Sequence, residues 1–402
     1  MKTRTVLLFA LLLSCAPLHA QKFKDLALTP PMGWNSWNKF GCDVSEQLIR
    51  GMADAMVSSG MKDAGYQYIV IDDCWHGNRD SLGFIRPDPV RFPSGMKALA
   101  DYIHAKGLKF GIYSCAGNKT CAGHPGSRGR EYQDASTYAR WGVDYLKYDW
   151  CNTEGLNAVG AYTTMRDALF AAGRPVVFSL CEWGTNKPWE WGRDVGHLWR
   201  TTGDITACFD CVVDHGSWSS WGVMKIVEMR EGIRSFAGPD HWNDPDMLEV
   251  GNGMSAGEDR AHFTVWCMLA APLMAGNDLA AMGPETREIL TNREVIAVDQ
   301  DSLGVQGFRY ELRDSVEVWA KPLARGDWAV CFLNRSRAAR TVAFDWKAHA
   351  IADEVASRTL DVRTVTYTVR DLWNHRDLGT TREILRASVP PHDVVLVRLG
   401  KR

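Results

Sequence analysis

A chain of 402 residues, 46% of them hydrophobic, is long enough to bury a large core and to divide into two domains. Its 46 basic and 48 acidic side chains nearly cancel, to a formal charge of -2, which argues against nucleic acid or a charged membrane surface as partner and leaves a neutral small molecule. The 17 tryptophans can stack on sugar faces, although core packing is the commoner use of an indole.

Residues 1–20 read as an export signal: Lys2 and Arg4, an apolar run from Val6 to Leu13, and a small residue, Ala20, after Leu18-His19. The run is too short to anchor the chain across a bilayer. Leu12-Leu13-Ser14-Cys15 also has the form of a lipid-attachment box, which would make Cys15 a lipidated N-terminus; Ala20 is the competing and preferred cleavage site. Either route delivers the protein to a periplasmic or extracellular space, oxidising enough for the remaining cysteines to pair.

The chain then repeats one pattern: apolar run, polar loop, amphipathic helix, glycine, apolar run. Ser45 to Met61 carries Leu48, Ile49, Met52 and Met56 at helical spacing, and Gly65 precedes the strand-like Tyr68-Ile69-Val70-Ile71. Met96, Leu99, Ala100 and Ile103 line a second helix, stopped at Gly107 before Phe110-Gly111-Ile112-Tyr113. Glu131 to Trp141 leads through Gly142 into Val143–Cys151, and Tyr162 to Ala172 through Gly173 into Val176-Val177-Phe178. These are βα units, which predict a parallel sheet.

Reactive side chains end strand after strand: Trp34, Asp72-Asp73, Tyr113, Lys147 with Asp149, Glu182, Arg200, and later Asp244 and Asp246. In a (β/α)8 barrel all such ends meet at one mouth. An open doubly wound sheet would gather its ligand groups at one switch point, usually with a glycine-rich phosphate loop, and the sequence has no such loop. The expected architecture is therefore a signal at 1–20, a catalytic (β/α)8 TIM barrel over 21–303, and an antiparallel β-sandwich over 304–402. In that last part Val316–Trp319, Trp328–Phe332, Val342–Phe344 and Val394–Val397 are short strand-like runs separated by turns.

Within Val143–Cys151 (VDYLKYDWC), a strand would put Val143, Tyr145, Lys147 and Asp149 on one face. An ammonium at that spacing favours an ionised carboxylate, suited to nucleophilic attack. Taken alone, the pair reads equally well as a structural ion pair.

With TPPMGWNSWN, YIVIDDCW, GLKFGIYS, VDYLKYDWC, CEWG, WRTTGDI and WNDPDML on the page, the chain resembles the α-galactosidases of glycoside hydrolase family 27 from about Leu26 to its C-terminus. The resemblance implies retaining hydrolysis of α-galactosides, with Asp149 as nucleophile and Asp204 as general acid/base, two carboxyls roughly 5–5.5 Å apart. It implies that Lys147 keeps Asp149 charged and that the surroundings of Asp204 raise its pKa. Asp72 and Asp73 would accept the 4- and 6-hydroxyls of galactose, with Trp34 stacked near the ring and Tyr113, Arg200 and Asp246 completing the pocket. Glu182 would receive a free 2-hydroxyl, next to a Thr185 that is smaller than usual, a gap that Trp183 or the following loop could fill.

The resemblance also pairs Cys42 with Cys74 and Cys121 with Cys151. It assigns no partner to Cys115, Cys181, Cys208, Cys211, Cys267 or Cys331. A local disulfide or two free thiols is the expectation for Cys208-Phe209-Asp210-Cys211, ahead of zinc. No metal or organic cofactor is implied. The alternatives on the same scaffold are a β-L-arabinopyranosidase, an α-N-acetylgalactosaminidase and a sugar-binding barrel without catalysis; retention of both Asp149 and Asp204 speaks against the last.

Overall fold

The computed structural model describes residues 22–401, so the expected export signal and Cys15 lie outside the described residues. Eight strands form one parallel sheet: β1 (Met32–Asn35), β2 (Tyr68–Ile71), β3 (Lys109–Cys115), β4 (Tyr145–Asp149), β5 (Val177–Cys181), β6 (Leu198–Arg200), β7 (Trp242–Asp244) and β8 (Leu273–Ala275). From β1 to β7 each strand pairs with the next, and β8 returns to β1, with Met32 opposite Leu273. Between β7 and β8 a single parallel bridge, Leu248 to Ala275, closes the ring. It consists of Leu248 N–H to Met274 O at 2.8 Å and Gly276 N–H to Leu248 O at 3.0 Å. The chain leaves β7 at Asp244, passes Asp246 in the left-handed region at φ 84°, and regains register at Leu248. The fold is the (β/α)8 barrel that the repeating pattern predicts.

The strands are short and largely apolar because both faces are covered. Tyr68, Val70, Tyr145, Val177, Leu198, Trp242 and Met274 meet inside the barrel. Ile69, Ile71, Leu146 and Phe178, of opposite parity, pack outward beneath the helices. Those helices end where the sequence places glycine: Gly65, Gly107, Gly142 and Gly173 all have positive φ, which lets the chain reverse into the next strand without a Cβ clash. The run predicted as one helix from Ser45 to Met61 is broken at Gly60, φ 87°, into Glu46–Ser58 and Met61–Ala64. The first of these is capped by the Ser45 hydroxyl, which accepts from Leu48 N–H at 3.2 Å.

The last barrel helix, Arg293–Asp299, is followed by a six-stranded antiparallel sheet that starts at Phe308, and by a two-stranded sheet of Arg340–Phe344 and Leu385–Val389. In the central strand Trp328–Asn334, Val330 and Phe332 pack into the sandwich core with Phe344 and Leu385, whereas Ala329, Cys331 and Leu333 join the barrel core. Helix Ala256–Met268 is the barrel element beneath that outer face. Lys321 reaches from the sheet to donate to the carbonyls of Cys267 and Val298, at 2.8 and 2.7 Å. Cys42 is bonded to Cys74, Cys121 to Cys151 and Cys208 to Cys211, and Cys115, Cys181, Cys267 and Cys331 are buried thiols. No helix among the described residues is long and apolar enough to cross a membrane.

Candidate active site

A cavity of about 630 Å³ opens at the carboxyl ends of the barrel strands. Its walls include Asp72 and Asp73 after β2, Tyr113 on β3, Lys147 and Asp149 on β4, Arg200 at the end of β6, Asp204 beyond it and Asp246 beyond β7. Both half-cystines of the Cys121–Cys151 bridge line the same mouth.

Asp72 accepts three hydrogen bonds. Its Oδ2 accepts from Lys147 Nζ and Asn35 Nδ2, each at 2.8 Å, and its Oδ1 from Asp73 N–H at 2.9 Å. Asp73 accepts backbone N–H groups, Cys74 on Oδ1 at 2.7 Å and Ala122 on Oδ2 at 2.9 Å. Adjacent buried acids are thus tolerated because donors from β1, β4 and two loops converge on them. Burial still pushes Asp73 upward. For Lys147, burial opposes its charge, yet the carboxylate of Asp72 holds it well above the usual ammonium range.

Asp149 is 5% exposed and accepts Trp150 N–H on Oδ1 at 2.7 Å. Burial pushes it up to about 7; the charge of Lys147 opposes this, and Asp204 and Asp72 add to it. Lys147 thus pulls Asp149 toward its ionised form while its hydrogen bond goes to Asp72, and burial acts on Asp149 in the opposite direction. Asp204 has a different setting. Its side chain is 38% exposed, and Oδ1 accepts from Arg200 Nη2 at 3.0 Å. The same guanidinium pairs with Asp246 Oδ2 at 2.8 Å, and Asp246 also accepts the N–H groups of Ile205 and Met247. Burial pushes Asp246 up to about 6 against the pull of Arg200. Asp246 and Trp183 (φ 60°) both hold left-handed backbone at the cavity wall, a conformation costing on the order of 1–3 kcal/mol for a side-chain-bearing residue.

Two predicted site residues do not reach the cavity. Trp34 is fully buried, its indole N–H donating to Asn277 O at 2.7 Å, and packs in the core against Phe40. Trp37, just past the end of β1, lines the cavity in its place. Glu182 is also fully buried: its Oε2 accepts Asn186 N–H and Nδ2 at 2.6 and 2.7 Å, so it ties down the loop after β5 instead of facing the cavity. Burial pushes it up to about 7. Trp183 and Thr185 line the wall where Glu182 was expected.

Trp218, Ser219 and Trp221, not predicted from the sequence, also line the cavity, in or beside a hairpin (Val212–Asp214 with Ser219–Trp221) projecting from the loop after β6. Trp221 packs on Gly203, where a Cβ would lie 2.1 Å from the indole, and its backbone N–H donates to Asp204 O at 3.0 Å. The Gly203-Asp204 pair was the available signal: only glycine lets an indole lie against the backbone beside that acid. Asp73, Cys74 and His124, and also Cys121, Asp149 and Cys151, come close enough together to suggest metal ligands, but each cysteine among them is in a disulfide and offers no thiolate.

Residues 29–301 match the family described as "Alpha galactosidase A", and residues 313–399 the "Alpha galactosidase C-terminal beta sandwich domain". The chain is similar to Alpha-galactosidase A of Cellvibrio japonicus (strain Ueda107), 58% identical over 98% of both chains. It is also 47% identical to an alpha-galactosidase of Cyamopsis tetragonoloba over 91% of this chain and 85% of that one. Among solved structures, alpha-galactosidase I from Mortierella vinacea superposes with a TM-score of 0.86 at 39% identity, over 93% of this chain and 98% of that one. Barrel, sandwich and acid-lined mouth together with these likenesses show that the chain belongs to the α-galactosidases of glycoside hydrolase family 27.

Proposed function

We propose that the protein is a retaining, exo-acting glycosidase that releases terminal α-D-galactosyl residues by double displacement, with Asp149 as nucleophile and Asp204 as general acid and base. The observation that carries this reading is the contrast between two carboxyls on one cavity, Asp149 enclosed at the end of β4 and Asp204 half-exposed at the mouth. Trp150 N–H fixes Oδ1 of Asp149 and leaves Oδ2 without a protein donor among the described residues, free to attack the anomeric carbon. Asp204, steadied by Arg200, delivers a proton to the departing oxygen and then removes one from water in the second step.

Asp72 and Asp73 form the sugar-reading wall. Both are fixed by donors and retain acceptor capacity for hydroxyls, so a sugar lacking the axial 4-hydroxyl leaves a buried acceptor unpaired. Discrimination at the 2-position passes from Glu182 to Trp183, whose indole restricts bulk beside the small Thr185. The resulting preference is galactoside over glucoside by at least about a hundredfold in kcat/KM, roughly 3 kcal/mol, with weak turnover of the 2-acetamido sugar. The disulfides and the export signal read at residues 1–20 support a periplasmic or extracellular site of action.

Proton NMR during hydrolysis of nitrophenyl α-galactoside tests the stereochemistry, with α-galactose expected as the first-formed sugar. Peptide mapping after trapping with a fluorosugar should place the label on Asp149. An initial β-anomer, or a label on Asp204, contradicts the assignment. A panel that includes the β-L-arabinopyranoside and the 2-acetamido analogue tests the sugar.

A further inference from the structure

A second cavity, of about 230 Å³, lies on the seam between barrel and sandwich and shares no lining residue with the first. Its walls come from the segment 227–234 on the barrel side and from Gln306, Phe308, Arg309 and Trp319 on the other. Charged groups crowd it, and nearly all are matched. Arg234 donates to Gln306 O and pairs with Asp353; Arg309 pairs with Glu231 and, at 3.3 Å, with Glu317; Glu228 pairs with Arg335 at 2.9 Å. Trp319 donates its indole N–H to Glu317 at 2.8 Å.

Arg230 is the exception. It is 3% exposed, lines the cavity, and none of its three guanidinium nitrogens has a hydrogen-bond partner among the described residues. Burial lowers it to about 10, the carboxylate of Asp244 only partly offsetting this. A buried guanidinium with five unused N–H donors is among the costliest groups a fold can enclose, and the group that relieves it best is planar and anionic, accepting two parallel N–H bonds. The cavity is larger than a carboxylate or phosphate alone requires, and Phe308, with Arg234 stacked on it at 4.9 Å, gives the remaining space an aromatic wall.

We propose that this seam cavity is a binding site for a small oxyanion, held by Arg230 and fastening barrel to sandwich when occupied. The site is independent of the galactoside pocket, whose walls are acidic. Its ligand is either an inorganic oxyanion or a carboxylate carried on a small organic body.

Thermal unfolding of the full chain with increasing sodium phosphate, malonate or glucuronate, against sodium chloride at matched ionic strength, tests the proposal. The expected result is a rise in Tm that grows with the logarithm of ligand concentration above Kd, about 3 °C at a hundredfold excess over Kd, absent in Arg230→Met, while galactose stabilises both proteins equally. A larger response to glucuronate identifies an organic carboxylate, and a larger response to phosphate an inorganic oxyanion. Equal responses in the wild type and Arg230→Met, or no response beyond that to chloride in the wild type, overturn the proposal. If Arg230→Met does not fold, anomalous scattering from wild-type crystals soaked in selenate decides: selenium against the guanidinium supports the site, and a cavity without it overturns it.

Discussion

Lys147 lies 2.8 Å from Asp72, two strands away, and makes no ion pair with Asp149, its neighbour on the same face of β4. The ammonium thus anchors the proposed sugar-reading wall and acts on the proposed nucleophile only through space. As the proposed nucleophile, Asp149 must be ionised to attack, so kcat/KM should rise with pH through a midpoint near 7, where burial has moved its carboxyl. Lys147→Met removes the charge that opposes that rise and should move the acid limb to higher pH; Asp204→Asn removes a charge that adds to it and should move the limb lower. Lys147→Met also strands Asp72, costing about 3–5 kcal/mol of stability. The pH profile of kcat/KM on an activated aryl galactoside checks both directions.

The same shift has a stability sign. An acid whose folded pKa lies above its ordinary 3.8 binds its proton more tightly when folded, so its contribution is full below about pH 4 and is lost as pH rises to about 7. Calorimetry should therefore show the ligand-free protein losing Tm across that window. Asp149→Asn should be the more stable protein at pH 8, by on the order of a few kcal/mol. A variant less stable than wild type at pH 8 would contradict the burial argument.

Asp149→Ala should abolish turnover of every galactoside. Asp204→Ala should lose about a hundredfold to ten-thousandfold on natural substrates, yet keep the first step for aryl leaving groups that need little protonation. A stopped-flow burst of nitrophenol in Asp204→Ala alone is the expected signature, and equal residual activity in both variants on both substrates would reverse the roles.

Cys121 and Cys151 are 30 residues apart, and the bridge holds the loop after β3 against the strand that carries Asp149. Cys151→Ala should cost about 3–4 kcal/mol by loss of chain restraint and lower kcat by loosening the mouth. Cys208 and Cys211 are separated by only 3, so opening that bridge should cost roughly half as much. Melting curves of the two single variants compare them directly.

Trp218, 51% exposed at the rim of the cavity, is placed to stack on the part of the substrate beyond the scissile bond. Trp218→Ala should raise KM for galactosyl oligosaccharides about tenfold, consistent with a stacking contact of about 1–1.5 kcal/mol, and leave the nitrophenyl galactoside nearly unchanged. Equal effects on both substrates would place Trp218 elsewhere in the reaction.

The barrel was legible because its βα units are punctuated by glycines that the backbone needs at positive φ, and because the acids stand at strand ends. What the sequence could not convey was which way the chain turns after each strand. Trp34 has the parity of a core residue in β1, and only the reversal into the short helix Trp37–Phe40 brings Trp37 to the mouth. Glu182 follows Cys181 with opposite parity and is drawn into the Glu182–Asn186 turn. Asp72 and Lys147 are 75 positions apart, so their bond is visible only when β2, β3 and β4 lie side by side. The hairpin bearing Trp218 belongs to a loop, where no periodicity reports position.

The strand Trp328–Asn334 contributes alternate side chains to two hydrophobic cores. Severing the chain near residue 303 would strip one face of that strand and uncover helix Ala256–Met268, leaving Cys267 O and Val298 O without the ammonium of Lys321. The C-terminal part is thus fused into the helical layer around the barrel, and the two should open together. Native-state hydrogen exchange at the amides of Trp328–Asn334 and of helix Ala256–Met268 should report one shared opening energy, that of global unfolding.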